Sequence, residues 1–264
     1  MPTIESNGIT LAYEFRGEGR PLLLISGVGY GGWYWRRLAA ELAGTYQVIT
    51  FDNRGTGASE KPDGPYTVAM LAADAAGLLD GLGVKGAYVL GHSLGGFVAQ
   101  ELALARPGLV RKLILAATSH GGPNAIPVTP AALAVLTSRE GDPAELFNRG
   151  VAVSTGPGFV ERHPEVVQEL FAYRMGVPVP PAQYAAQVAA GAQFDAEARL
   201  GAIACPTLIL FGAADQVVPP GNADLLAGKI AGAQVTILPG LGHHFPIEDT
   251  GATVAAMRAF LESA

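Results

Sequence analysis

The stretch Gly91-His92-Ser93-Leu94-Gly95-Gly96 follows an apolar run at 87–90 and precedes a segment with helical spacing at 97–105. A serine between two glycines, at a sharp turn from strand to helix, is typical of a nucleophile elbow. Glycine has no Cβ, so the chain can turn tightly and leave the serine hydroxyl clear of the backbone. The helix that follows directs its free N–H groups towards the place where an oxyanion forms. The pattern predicts that Ser93 is a nucleophile and that the Leu94 amide is one oxyanion donor.

Two candidate partners of Ser93 follow it in the chain, each after its own predicted strand. Asp215 comes after the apolar run at 206–211, and His243 comes after the run at 233–238. Serine, then aspartate, then histidine is the chain order of the α/β-hydrolase triad, and it differs from the two other common serine-protease orders. The chain therefore resembles the α/β-hydrolase superfamily along nearly its whole length. This resemblance predicts Asp215 as the acid that orients the catalytic base, His243.

Each partner has a rival in the sequence. His243 and His244 are adjacent, so their side chains diverge and at most one of them faces Ser93. The family pattern Gly-x-Gly-His-x-x-x-x-Glu matches the stretch 240–248 and selects His243. Asp52 and Asp80 are rival acids. Asp215 is favoured because it lies just beyond the end of a late predicted strand.

The first third of the chain carries more of the resemblance. An apolar strand at 21–26 runs into a glycine-rich loop, where Ser26-Gly27 stands in place of the His-Gly pair of relatives. A backbone N–H just after that pair completes the oxyanion hole in relatives, which makes Val28 the second candidate donor. The stretch 51–59 matches the superfamily pattern Asp-x-Arg-Gly-x-Gly-x-Ser. The layout is similar to that of the small esterases and 3-oxoadipate enol-lactonases.

Alternation of short apolar runs with helical segments predicts the fold class. It indicates an α/β protein with a mostly parallel central sheet flanked by helices. The stretch 8–14 alternates apolar and polar residues, as an antiparallel edge strand does. An apolar stripe at helical spacing predicts a helix over 67–82. The predicted parallel strands are 21–26, 46–51, 86–91, 110–117, 206–211 and 233–238.

The alternation stops after Thr118. The segment 122–194 contains several prolines and no convincing strand, and a long insertion of this kind in a compact domain is usually functional or disordered. Its apolar and aromatic content favours a folded lid, and the resemblance implies a helical cap over the active site. We therefore expect an α/β-hydrolase core at 1–121 and 195–264 and a cap at 122–194. Helical patterns within it are 130–137, 143–150, 164–174 and 181–190.

Four residues are candidates for the substrate site: Tyr30, Trp33, His120 and Phe147. Aromatic residues near a core are more often packing residues, and a loop histidine has an equally ordinary interpretation.

The predicted cap and the loop beneath it would give the substrate site a mostly apolar and aromatic lining. Such a lining favours small to medium uncharged acyl or lactone groups, because an ionised group buried without a partner carries a heavy desolvation penalty. An arginine that points inward would instead favour an acidic substrate. The candidates are Arg36, Arg37, Arg54 and Arg174.

Composition excludes several function classes. Apolar residues make up 49% of the 264 residues and charged residues 15%, which predicts a sizeable folded core. The formal net charge of −6 argues against nucleic acid or an anionic membrane surface as partner. The N-terminal segment lacks a basic stretch followed by an apolar one, and no apolar run is long enough to span a bilayer, so we expect a cytoplasmic protein. No histidine or cysteine cluster has metal-ligand spacing, and no dinucleotide or phosphate-loop fingerprint is present, so we expect no metal and no cofactor.

These observations predict a serine hydrolase of small-molecule carboxylic esters or lactones that works through an acyl-enzyme on Ser93. A serine at the elbow argues against epoxide hydrolases and haloalkane dehalogenases, which need a carboxylate there. A C–C bond hydrolase of dienoic ring-cleavage products, or a cofactor-free lyase or oxygenase, would use much the same residues. A non-catalytic ligand receptor on the same fold is a further alternative.

Overall fold

The computed structural model describes residues 1–138 and 140–263. Its centre is one eight-stranded sheet with the strand order β1-β2-β4-β3-β5-β6-β7-β8. β1 and β2 pair in antiparallel fashion, as do β2 and β4, and every other pair of neighbours is parallel. The strands are β1 Thr3–Ser6, β2 Ile9–Arg16, β3 Arg20–Ile25, β4 Tyr46–Phe51, β5 Ala87–His92, β6 Val110–Ala116, β7 Thr207–Gly212 and β8 Gln234–Leu238.

Helices cover both faces of this sheet. They are α1 Arg36–Leu42, α2 Val68–Gly81, α3 Leu94–Ala105, α4 Pro130–Thr137, α5 Pro143–Ser154, α6 Phe159–Arg162, α7 Pro164–Gly176, α8 Pro181–Ala192, α9 Asn222–Ala227, α10 Phe245–Glu248 and α11 Thr250–Leu261. Helices α2, α3 and α9 bury apolar side chains against one face, and α1 and α11 do so against the other. The predicted α/β architecture with a mostly parallel sheet is confirmed.

The N-terminal edge differs from the prediction. The stretch predicted as the antiparallel edge strand is β2, but it lies second in the sheet because β1 pairs with it from Thr3↔Ala12 to Ser6↔Ile9. β1 has only four residues and no apolar alternation, so nothing in its own sequence indicates a strand. Pairing with β2 satisfies its backbone groups and determines its structure.

The segment between β6 and β7 contains helices α4 to α8. Its two ends meet at an isolated antiparallel bridge between Gly121 and Asp195, and Gly122 N donates to Phe194 O at 2.9 Å. The division into a core at 1–121 and 195–264 and a cap at 122–194 stays a prediction. Two residues of these ranges, 139 and 264, lie outside the described residues.

Across the ranges 1–138 and 140–263, no helix combines the length and the apolar character needed to cross a membrane.

Candidate active site

Ser93 lies in the turn between β5 and α3, at the carboxyl end of a central strand. Its φ of 57° and ψ of −122° put a residue with a Cβ in the positive-φ region, which is uncommon outside glycine. Three hydrogen bonds hold this conformation: Ser93 N donates to Ala116 O at 3.0 Å, and Ser93 O accepts from Thr118 Oγ1 at 2.9 Å and from Gly96 N at 2.8 Å. Backbone strain of this kind is found where the surrounding structure holds a functional residue in place. The serine therefore lies on a turn that is hydrogen-bonded to the end of β6 and to the loop after it.

The glycines around Ser93 allow α3 to approach the sheet closely. A Cβ on Gly91 would lie 2.1 Å from Gly95 O, and a Cβ on Gly95 would lie 2.2 Å from Ile25 O. Both distances are far below van der Waals contact with backbone atoms, so no larger residue fits without moving the chain. The glycines thus bring the N-terminus of α3 against the ends of β3 and β5, beside the serine.

Asp215 and His243 form a buried pair on the loops after β7 and β8. His243 Nδ1 donates to Asp215 Oδ2 at 2.8 Å, while Asp215 Oδ1 accepts from the amides of Val217 and Val218, each at 2.8 Å. A carboxylate can only accept, so the neutral imidazole carries its proton on Nδ1 and leaves the Nε2 lone pair free. This is the tautomer that a general base needs.

The rival acids are engaged elsewhere. Asp52 accepts from Gly32 N and Ala58 N, each at 2.7 Å, and so holds the loop after β3. Asp80 is exposed and pairs with Arg106 at 3.0 Å. Of the three candidate acids, only Asp215 contacts a histidine.

Ser93 and His243 line the same cavity, which has a volume of about 310 Å³. Its floor comes from the loops at the carboxyl ends of the strands, and its roof comes from α4, α5, α7 and α8. The lining residues are Gly27, Val28, Tyr30, His92, Ser93, Val217, His243 and His244 below, and Leu136, Phe147, Gly150, Val151, Ser154, Arg174, Tyr184 and Val188 above.

His244 is held by two tyrosines and does not contact Asp215. Its Nε2 lies 3.2 Å from Tyr30 Oη, and its Nδ1 lies 3.1 Å from Tyr34 Oη. Burial first, and the neighbouring His243 second, lower the pKa of His244 to about 3. His244 is therefore neutral near pH 7, with one ring nitrogen donating and the other accepting, and it fixes the Tyr30 hydroxyl at the cavity wall.

His92, the residue before the serine, supports the histidine loop from below. Its Nε2 donates to His243 O at 2.8 Å, because a carbonyl can only accept. Burial, followed by the proximity of His243 and His244, lowers the pKa of His92 well below its ordinary value. It stays neutral and anchors the backbone of the predicted base.

The predicted oxyanion donors flank Ser93. Val28 lines the cavity, and Leu94 is the first residue of α3. Within the described parts of the chain, no hydrogen bond engages the amide of either residue. A Cβ on Gly27 would come within 3.0 Å of Ser93 Cβ, so the glycine lets the Val28 loop lie directly beside the serine. Two free amides near one hydroxyl match the arrangement that stabilises an oxyanion.

The predicted substrate residues separate into two groups. Tyr30 and Phe147 line the cavity, whereas Trp33 and His120 do not. The Trp33 ring stacks on Tyr173 of α7, with centroids 5.5 Å apart and planes at 9°, and so packs a helix against the core. The His120 ring turns back to its own loop, where Nδ1 lies 2.7 Å from Gly121 O.

Glu248 links the histidine loop to the turn after α5. Its Oε1 accepts from Gly242 N at 3.0 Å, and its Oε2 accepts from Gly156 N at 2.6 Å. The two backbones touch there, since a Cβ on Gly242 would lie 2.5 Å from the carbonyl carbon of Thr155. Burial raises the pKa of Glu248 to about 7, against the opposing effect of the two N–H donors. The residue that the family spacing singled out thus holds the segment just before His243.

This raised pKa makes a prediction for stability. A carboxyl group with a higher pKa in the folded state binds its proton more tightly there, so its contribution to stability is largest below about pH 4.5. That contribution is lost as the pH rises to about 7. Glu248→Gln removes the titration, so the free energy of unfolding of the unmodified protein should fall relative to that of the variant across this window. Urea unfolding at a series of pH values measures the difference.

Glu262→Gln, at an exposed position of the same C-terminal region, is the control and should leave the pH dependence unchanged. Parallel stability curves for the unmodified protein and Glu248→Gln would contradict the predicted titration.

Within 1–138 and 140–263, no group of three or more His, Cys, Asp or Glu side chains is placed to hold a metal ion.

Comparison with known proteins gives a family match over most of the chain. The sequence model described as the alpha/beta hydrolase fold matches residues 20–250. RutD of Variovorax paradoxus, which is named as a carbamate hydrolase, is 31% identical over 262 residues, covering 95% of this chain and 96% of that protein. RutD of Azorhizobium caulinodans is 43% identical, but the matched part spans less than half of that relative, with 44% of this chain and 43% of that protein covered.

Two solved structures are similar over nearly the whole length. The enol-lactonase from Burkholderia xenovorans LB400 has a TM-score of 0.86 at 26% identity and covers 99% of this chain and 100% of its own. A thermophilic esterase from Thermogutta terrifontis has a TM-score of 0.85 at 29% identity and covers 99% of this chain and 98% of its own. The resemblance indicated by the sequence motifs is confirmed by these matches.

Proposed function

Because the chain belongs to the α/β-hydrolase fold family, we propose that it is a serine hydrolase of carboxylic esters or lactones, acting on small molecules through an acyl-enzyme on Ser93. The observation that carries this proposal is the Asp215–His243 pair, 2.8 Å apart, in the cavity that also holds the strained Ser93 turn. Hydrolase relatives, an esterase and an enol-lactonase among them, support it.

The proposed mechanism has an acylation step and a deacylation step. His243 Nε2 takes the proton of Ser93 as Oγ attacks the acyl carbon, and Asp215 stabilises the imidazolium that forms. The amides of Val28 and Leu94 donate to the oxyanion of the tetrahedral intermediate. His243 returns the proton to the leaving alcohol when the C–O bond breaks. A water molecule, activated by the same histidine, then hydrolyses the acyl-enzyme and restores the serine.

Carbamate cleavage is a second candidate, favoured by the match to the Variovorax RutD over 95% of this chain. The chemistry is closely related, because a serine that attacks a carbamate carbonyl needs the same base and the same oxyanion donors. The two candidates differ in what the cavity accepts beside the carbonyl, so a substrate comparison distinguishes them.

A substrate panel tests the proposal. It contains p-nitrophenyl esters of short acids, small lactones, a p-nitrophenyl carbamate and a dienoic ketone, each assayed with the unmodified protein and with Ser93→Ala. We expect turnover of esters or lactones that disappears in the variant. Turnover of the carbamate alone would favour the second candidate, and turnover of the dienoic ketone alone would assign a C–C bond hydrolase. Ester hydrolysis that persists in Ser93→Ala would contradict the mechanism.

A further inference from the structure

Arg174 of α7 brings a positive charge to the wall of the Ser93 cavity. It is the only Lys, Arg, Asp or Glu side chain among the described residues that line this cavity. Across the part of the chain that the structure describes, no carboxylate lies within ion-pair distance of its guanidinium. The cavity therefore contains a cation without an anionic partner.

The three other arginines that the sequence offered as candidates are paired with carboxylates. Arg54 makes a bidentate contact with Asp74, with both N–O distances at 2.7 Å, and Arg36 and Arg37 both contact Glu169. Their charges are satisfied within the protein and none of them lines the cavity. Of these four arginines, Arg174 is the one with no carboxylate partner among the described residues.

Three contacts hold the Arg174 guanidinium in place. Its Nη1 donates to Gly29 O, and its Cζ lies 5.5 Å from the Tyr30 ring centroid and 5.7 Å from that of Tyr184. Aromatic faces attract a cation without supplying a hydrogen-bond acceptor, and an arginine has five N–H donors. The group is thus oriented in advance and keeps donors that no protein oxygen uses.

We propose that Arg174 binds a carboxylate on the acyl part of the substrate, so that the preferred esters or lactones carry a negative charge. This inference rests on the proposed function and names the substrate class of that same site. A planar guanidinium matches a carboxylate in geometry, and the pairing is strongest where water is largely excluded. A carboxylate on the ligand would supply the anionic partner that Arg174 lacks among the described residues.

The spacing between the two ends of such a substrate is short. Arg174 contacts Gly29, the residue next to the predicted oxyanion donor Val28, and the whole cavity measures about 310 Å³. A charged group reaching Arg174 while its carbonyl lies at Ser93 needs only a short chain between them. Half-esters of short dicarboxylic acids have this form.

The test compares the mono-p-nitrophenyl esters of succinate, glutarate and adipate with uncharged p-nitrophenyl esters of equal chain length. The leaving group is the same in every pair, so the ratio of kcat/KM values reports recognition of the acyl charge. We expect one of the anionic esters to exceed its neutral match. In Arg174→Met this ratio should fall roughly 10- to 100-fold, the range for a hydrogen bond to a charged group, and Arg174→Lys should retain part of it.

Arg162→Met, at an exposed position on α6 that does not line the cavity, is the matched control and should keep the ratio. A second readout does not depend on turnover: glutarate binding to Ser93→Ala, measured by calorimetry, should weaken when Arg174→Met is added.

The outcomes separate the two proposals. Hydrolysis of neutral esters with no preference for any anionic one, or a preference that survives Arg174→Met, would overturn the role of Arg174 while leaving the serine hydrolase standing. If no ester is cleaved but glutarate binds in an Arg174-dependent way, the proposed function fails and the carboxylate site remains. A ratio lost equally in Arg162→Met would show that the effect is not specific to the cavity, and so would also overturn the proposal.

Discussion

Ser93→Ala should lower ester hydrolysis by about 10⁶-fold and abolish covalent labelling by a fluorophosphonate. The expected loss is large because the rest of the site acts through this hydroxyl, so removing it stops both acylation and inhibitor attack. The turn itself should persist, since its shape depends on the bonds of Ser93 N to Ala116 O and of Thr118 to Ser93 O, which an alanine backbone keeps. Labelling is read by intact-protein and peptide mass spectrometry, and turnover by p-nitrophenol release.

The control is Ser119→Ala, which removes a buried serine hydroxyl that accepts from Gly121 N at 3.1 Å and does not line the cavity. This variant should still be labelled at one site. A fluorophosphonate adduct on any serine other than Ser93 would overturn the assignment of the nucleophile.

Asp215→Asn should lower kcat by as much as ~10⁴-fold with little change in fold. The direction follows from the hydrogen bonds at this position. The amide oxygen would continue to accept from Val217 and Val218, which leaves the NH₂ group facing His243 Nδ1. Two donors cannot meet there, so Nδ1 would lose its proton and Nε2 would carry it, which is the wrong tautomer for a base. Steady-state kinetics on a p-nitrophenyl ester measures the loss, and circular dichroism checks the fold.

Asp80→Asn serves as the matched control, because Asp80 is the exposed rival acid paired with Arg106 on the surface. Its kcat should stay close to that of the unmodified protein. A small effect of Asp215→Asn would mean that another acid orients the histidine, or that the base works without one.

Several features of the site were predictable from local sequence because local sterics determine them. Gly91 and Gly95 are required by the close approach of α3 to the strands, and that approach is what a Gly-x-Ser-x-Gly turn between strand and helix predicts. The spacing from Gly242 to Glu248 selected His243 over His244, and His243 is the one that contacts Asp215. In a parallel sheet, residues just beyond the carboxyl ends of the strands lie at one edge, so the chain order of Ser93, Asp215 and His243 already implied a common site.

The contacts between helices α4 to α8 and the loops below them could not be predicted from the local sequence. Trp33 was a candidate for the substrate site and stacks instead on Tyr173, and His120 turns back to its own loop. Arg174 was one of four arginines with no sequence feature to separate them. Only the packing of α7 brings its guanidinium to Gly29, 145 residues away in the chain.

The physical reason for this division is the range of the interactions involved. Turn geometry, glycine sterics and the alternation of apolar residues act between near neighbours, so the sequence by itself determined the α/β fold, the serine turn and the order of the three predicted catalytic residues. The direction of a long side chain such as that of Arg174 depends on how helices pack over a cavity, and no local period encodes that. The tertiary structure alone decided that this cavity contains a cation with no carboxylate partner among the described residues. It also decided that His244 contacts Tyr30 and Tyr34, and that Glu248 links the histidine loop to the turn after α5.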